Sequence, residues 1–97
     1  MLARDEILKK IREQWPRIAR FGVKRLGIFG SVARGDSTEA SDVDVLVEFE
    51  KPLGWEVVDL REYLQELLGT KVDLVTRPAV SKKALLWKSI QEDLIHV

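Results

Sequence analysis

The 97 residues contain no cysteine, no asparagine and one histidine. Without thiols there is no disulfide framework, no thiolate zinc site and no cysteine nucleophile. The lone histidine, His96, lies one residue from the end, which argues against a Ser-His-Asp triad and for a structural or exposed place. Neither sign of charge prevails: 16 Lys and Arg balance 16 Asp and Glu, so no overall field draws the chain to nucleic acid or to an anionic surface. Nucleic acid is therefore not an expected partner. No apolar run approaches the ~20 residues of a membrane span. The opening stretch MLARDEILKKIREQ is charged throughout and lacks the apolar core of a secretory signal, which gives a cytoplasmic expectation. Missing asparagine beside a third of charged residues leans toward a heat-adapted protein.

What is present fits one domain over residues 1–97 with one modest core. Ile7, Leu8, Ile11, Trp15 and Ile18 recur at helical spacing, predicting a helix over 3–21 with a kink or break at Pro16. Lys24 to Phe29 reads as a short strand, followed by a turn at Gly30-Ser31 into a brief helix ending near Gly35. After the polar loop DSTEAS comes a second strand, Asp42 to Glu50. Val57, Leu60, Leu64, Leu67 and Leu68 mark one face of a helix over about 54–68, with Gly69 as its cap. KVDLVT, residues 71–76, forms a third strand closed by Arg77-Pro78. Ser81 is the expected N-cap of a last helix carrying Ala84, Leu85, Trp87 and Ile90, and Leu94 to Val97 adds a short final strand. Strands alternating with helices give a small α/β fold, a mixed sheet of three to four strands with helices packed against it. Trp15, Trp55 and Trp87 are expected in or beside the core, one of them at an interface.

The second strand opens with two acids, Asp42 and Asp44. Side chains two apart on a strand share a face, so these carboxylates stand together while Val43 and Val45 point the other way into the core. Parallel carboxylates repel unless a cation lies between them, and an oxygen-only donor pair suits Mg²⁺. Asp73, within VDLV, adds a third acid if its strand lies beside the second. Three such groups can hold two divalent ions, one activating an attacking oxygen and one steadying a leaving phosphate. Upstream, Gly30 permits close backbone approach and Ser31 opens a helix whose free amides suit an anion. The bland readings are a loop cap for Asp42, an ion pair for Asp44 and a plain connection for the Gly-Ser turn; their joint occurrence favours metal and phosphate binding. Neither a Walker lysine motif, a GxGxxG fingerprint nor an EF-hand spacing is present.

GIFGSVARG, ten residues from Ser31 to the acid pair, SDVDVLVEF and a later VDLV together resemble the nucleotidyltransferase domain of the DNA polymerase β superfamily, and within it the minimal nucleotidyltransferases, many of them antitoxins to HEPN-domain partners. The resemblance covers residues from about 22 to 97. It implies a polymerase β-like palm in which Gly30 and Ser31 grip a triphosphate. Asp42, Asp44 and Asp73 would hold Mg²⁺, two ions in the family pattern, with Asp73 also activating the acceptor hydroxyl. Arg34 would serve the nucleotide site or brace its loop. ATP is the implied donor of AMP, and a tyrosine of a HEPN protein the implied acceptor. The alternative is a non-catalytic antitoxin that binds nucleotide and silences its partner by occlusion. Larger relatives add a domain that holds the acceptor; here a partner is expected to supply that wall, in a homo- or hetero-oligomer.

Overall fold

The computed structural model describes residues 3–38, 41–50, 54 and 56–97. The elements are α1 (Arg4–Glu13), α2 (Trp15–Ala19), β1 (Val23–Phe29), α3 (Gly30–Arg34), β2 (Val43–Phe49), α4 (Glu56–Leu68), β3 (Val72–Thr76), α5 (Arg77–Ser81), α6 (Ala84–Asp93) and β4 (Ile95–His96). The strands form one four-stranded sheet in the order β3-β2-β1-β4. β1 runs antiparallel to β2 and β4, and β2 runs parallel to β3, with α4 as the crossover. The sheet is therefore mixed and helix-packed, as the alternation of patterns predicts.

The N-terminal helical stretch divides at Gln14. Pro16 is the second residue of α2, where its missing N–H falls among amides that have no intrahelical acceptor, so the break expected at Pro16 falls two residues earlier. In β1 the register shifts between Val23 and Arg25. The extra residue, Lys24, is a bulge that returns Val23 to the face already carrying Leu26 and Ile28, and all three are buried.

Strand alternation sorts the sheet into two unequal faces. One carries Leu26, Ile28, Val43, Val45, Val47 and Val72 against Ile7, Ile11, Ile18, Leu60 and Leu64 of the helices α1, α2 and α4. Among the described residues, the other buries Gly27 and Leu46, the leucine beneath Val80 of α5 and Ile90 of α6, with Phe29 and Val75 partly buried beside them. Trp15 flanks the first cluster and Trp87 the second, both half-buried; the expectation for Trp55 lies outside the described residues.

The C-terminal third departs from the sequence reading. Arg77-Pro78 does more than close β3: it opens α5, with Pro78 in the first turn. Ser81 is not the N-cap of the last helix. It ends α5, where its hydroxyl donates to the Pro78 carbonyl at 3.2 Å, and Lys83 is the residue that precedes α6. A serine before an apolar periodic stretch signals a cap equally well wherever a helix begins within a few residues, and α5 had taken it first. Lys82 and Lys83 consequently lie exposed between two helices, not in the first turn of one.

Candidate active site

β1 ends at Phe29, and the chain turns through Gly30, at φ 74°, into α3. Phe29 stands opposite Asp44 in the antiparallel register, and Asp44 stands opposite Asp73 in the parallel one. The Gly-Ser turn, Asp44 and Asp73 thus meet at one end of the sheet, on the thinly covered face. Asp42 lies just outside the regular strand, which begins at Val43. Asp42 and Asp73 are exposed, whereas Asp44 is half-buried.

Burial, then repulsion from Asp73 and Asp42, pushes the Asp44 carboxyl up to about 6, with Arg34 acting in the opposite sense. All three acids are therefore felt at one carboxylate, the electrostatic signature of a site that needs a positive charge. Among the described residues no three Asp, Glu, His or Cys side chains close into a metal cage; the acids flank Asp44 without enclosing a point. Their chemistry fits a hard cation nonetheless: oxygen donors only, one of them half-buried and under repulsion from the other two that Arg34 only partly offsets.

Gly30 has a use beyond approach to a ligand. A Cβ built there would overlap Oδ2 of Asp44 and lie 3.2 Å from its Cγ. With φ at 74° the position also disfavours any L side chain. The glycine and the aspartate are thus two halves of one packing decision. Ser31, half-buried, follows in the first turn of α3, and its carbonyl accepts the Asp36 amide at 3.0 Å.

Arg34 closes α3 and faces two carboxylates. Its Nη1 donates to Asp93 Oδ2 of α6 at 2.8 Å and its Nε to Asp36 Oδ2 at 3.3 Å, bonds that raise its pKa further. Asp36, the first residue of the polar loop, is exposed but belongs to this pair. On the other side of α3, Arg4 Nη1 donates to the Ala33 carbonyl at 3.1 Å, tying α1 to the same short helix. Asp93 was invisible to sequence reasoning: 59 residues separate it from Arg34, and an acid near the end of an amphipathic helix carries no local signal of its partner.

A sheet end with paired strand acids beside a glycine-serine turn defines the nucleotidyl-transfer class. The chain belongs to the family described as nucleotidyltransferase domain, whose profile matches residues 4–97. It is 41% identical over 90 residues to the protein adenylyltransferase MntA of Thermococcus cleftensis, covering 92% of this chain and 83% of that one. A protein of Methanocaldococcus jannaschii, provisionally named a protein adenylyltransferase, is 42% identical over 95 residues, with 93% and 94% covered. Among solved structures, a provisionally assigned minimal nucleotidyltransferase superposes with a TM-score of 0.81 at 30% identity, over 97% of this chain and 95% of that one. A chain in the complex of tri-AMPylated Shewanella oneidensis HEPN toxin with MNT antitoxin gives a TM-score of 0.58 at 21% identity, over 96% of this chain and 66% of that one, a likeness of fold alone. The protein is a nucleotidyltransferase.

Proposed function

We propose that this nucleotidyltransferase moves AMP from ATP to a tyrosine hydroxyl of a HEPN-domain partner and thereby acts as that partner's antitoxin. The observation that carries the reading is Asp44: half-buried, pressed by Asp73 and Asp42, and packed on the glycine of the Gly-Ser turn. The names of the adenylyltransferase relatives and the composition of the antitoxin complex support the choice of nucleotide and acceptor. Asp42, Asp44 and Asp73 would hold Mg²⁺, which supplies charge neutralisation at the phosphates and activation of the attacking oxygen. Amides at Gly30 and Ser31 bind the triphosphate and fix its α-phosphorus in line with the acceptor. Asp73, exposed at the same end, accepts the proton of the tyrosine hydroxyl as its oxygen bonds the α-phosphorus, the α–β phosphoanhydride bond breaks and pyrophosphate leaves. Arg34 reaches the nucleotide from its place between Asp93 and Asp36, and the partner supplies the wall that excludes water.

The test is intact-mass analysis of the HEPN partner after incubation with this chain, ATP and Mg²⁺. A gain of one or more AMP units on a tyrosine is the expected result, abolished by Asp73→Asn with the complex still formed. Tight association with no mass gain would replace catalysis by occlusion, and efficient modification of a free small-molecule acceptor without any partner would overturn the proposal.

A further inference from the structure

The face that carries the acids has a second end. Along β1 and β2 the register continues from Phe29 opposite Asp44 to Gly27 opposite Leu46 and Arg25 opposite Glu48. Arg25 is four residues from Phe29, roughly 13 Å along the strand. Here a cavity of about 330 Å³ opens, and Arg25, Glu48, Arg77, Trp87, Gln91 and His96 supply its functional groups. Its volume is at the lower end of the range for small-molecule sites, about 300–1,000 Å³. The packed trio Leu46, Val80 and Ile90 lies beside it on the same face. Gly27 contributes to its floor, and a Cβ there would come within 2.7 Å of Leu94 Cδ1, the far end of a flexible side chain, and 3.0 Å of the Ile95 carbonyl oxygen, so a side chain at this position would crowd β4.

Two features make the cavity more than a gap between helices. The Arg77 guanidinium lies 3.7 Å from the centroid of the Trp87 ring, a stacked contact that fixes a flexible side chain in place. Among the described residues, neither Arg25 nor Arg77 has a carboxylate within ion-pair distance, although Glu48 sits across from Arg25 in the register. Two guanidinium groups therefore line one cavity with a single carboxylate among them, and one of the two is held by an aromatic ring. Planar five-donor forks of this kind match the oxygens of phosphate. His96 and Gln91 add side chains able to donate hydrogen bonds, and the cavity exceeds what a bare phosphate fills.

We propose that this cavity, at the opposite end of the sheet from the acids, binds a small phosphate-bearing molecule through Arg25 and Arg77. The same recognition would serve inorganic phosphate and a phosphate monoester, and the volume favours the ester. The site is independent of the transfer reaction, because it uses none of Gly30, Ser31, Asp42, Asp44 or Asp73.

The experiment follows the Trp87 indole N–H, the Gln91 side-chain amide and the His96 ring by NMR while inorganic phosphate or AMP is added to the full chain in chelator. Saturable shifts at these groups are expected, with the amides of Gly30 and Ser31 unmoved. Arg25→Gln should weaken binding by about tenfold or more; because Arg25 is exposed, this variant keeps the fold even if Arg77→Gln, which loses the stack on Trp87, does not. Tighter binding of AMP identifies an ester as the ligand, and equal binding of the two identifies free phosphate. Shifts that fail to saturate by about 10 mM, that centre on Gly30 and Ser31, or that survive unchanged in Arg25→Gln would overturn the proposal. Chelator removes any cation from the acid set, so this outcome is independent of whether AMP transfer occurs.

Discussion

The two faces of the sheet do different work. On the face covered by α1, α2 and α4, Ile28, Val43, Val45, Val47, Leu60 and Leu64 are all fully buried. On the other, α5 and α6 cover a smaller cluster about Leu46, with Phe29 and Val75 partly buried, and acids hold one end while arginines line the cavity at the other. A small chain that must expose charged groups for chemistry cannot also bury both sides of its sheet. On the function proposed above, stability and chemistry are separated by the pleat itself, since residues one apart on β2 point to opposite faces.

The sharpest way to break this division is to neutralise an acid. Asp44→Asn should lower AMP transfer at least about a thousandfold, equivalent to about 4 kcal/mol of barrier, while cooperative unfolding persists; loss of cooperative unfolding would make Asp44 structural. The converse change is Leu64→Ala on the closed face, expected to cost about 2–5 kcal/mol of stability by transfer and cavity terms. Transfer per folded molecule should stay near wild type below the melting transition. A large fall in turnover there would show that the faces are coupled.

Gly30→Ala tests where the faces join. Strain at positive φ and displacement of the Asp44 carboxylate should together cost about 1–3 kcal/mol and remove most of the activity. If denaturant titration shows full stability with activity retained, the turn is more forgiving than its geometry. A smaller effect concerns pH. The folded pKa of Asp44, about 6, exceeds its ordinary value of 3.8, so the group contributes stability below the unfolded value that is lost as pH rises through about 6. Discounted because the carboxyl is only half-buried, the metal-free difference is about 1 kcal/mol, or about 4–8 °C in Tm. Asp44→Asn should flatten that slope, and a metal-free melting profile identical to wild type would remove Asp44 as its origin. At the bottom of the scale, Leu85→Ser changes a side chain that is 85% exposed and should alter stability by less than about 0.5 kcal/mol.

The closed face was largely legible in the sequence, because alternation in VDVLVEF and the helical repeat of Leu60, Leu64 and Leu68 report burial directly. The convergence of Asp73 was legible only on the condition that its strand lay beside the second; the register that sets it opposite Asp44 comes from the structure. The C-terminal third was harder, since Arg77-Pro78 satisfies both the end of a strand and the first turn of a helix. Ser81 then offered itself as a cap to the wrong helix. Contacts that depend on register or on helix rotation left no trace at all: Arg34 with Asp93, and the gathering of Arg25, Arg77 and His96 about one cavity, come from residues far apart in the chain.

The interlock of Gly30 with Asp44 also constrains how the site could be altered by descent. On the proposed role of Asp44, a change to a smaller or neutral residue leaves the turn undisturbed, so silence is one mutation away and leaves a protein expected to fold and associate. Filling Gly30 first would evict the acid and strain the turn in a single stroke. Loss of chemistry is thus open along one path and nearly closed along the other. A folded but inactive descendant is expected to keep its glycine and to have replaced its aspartate.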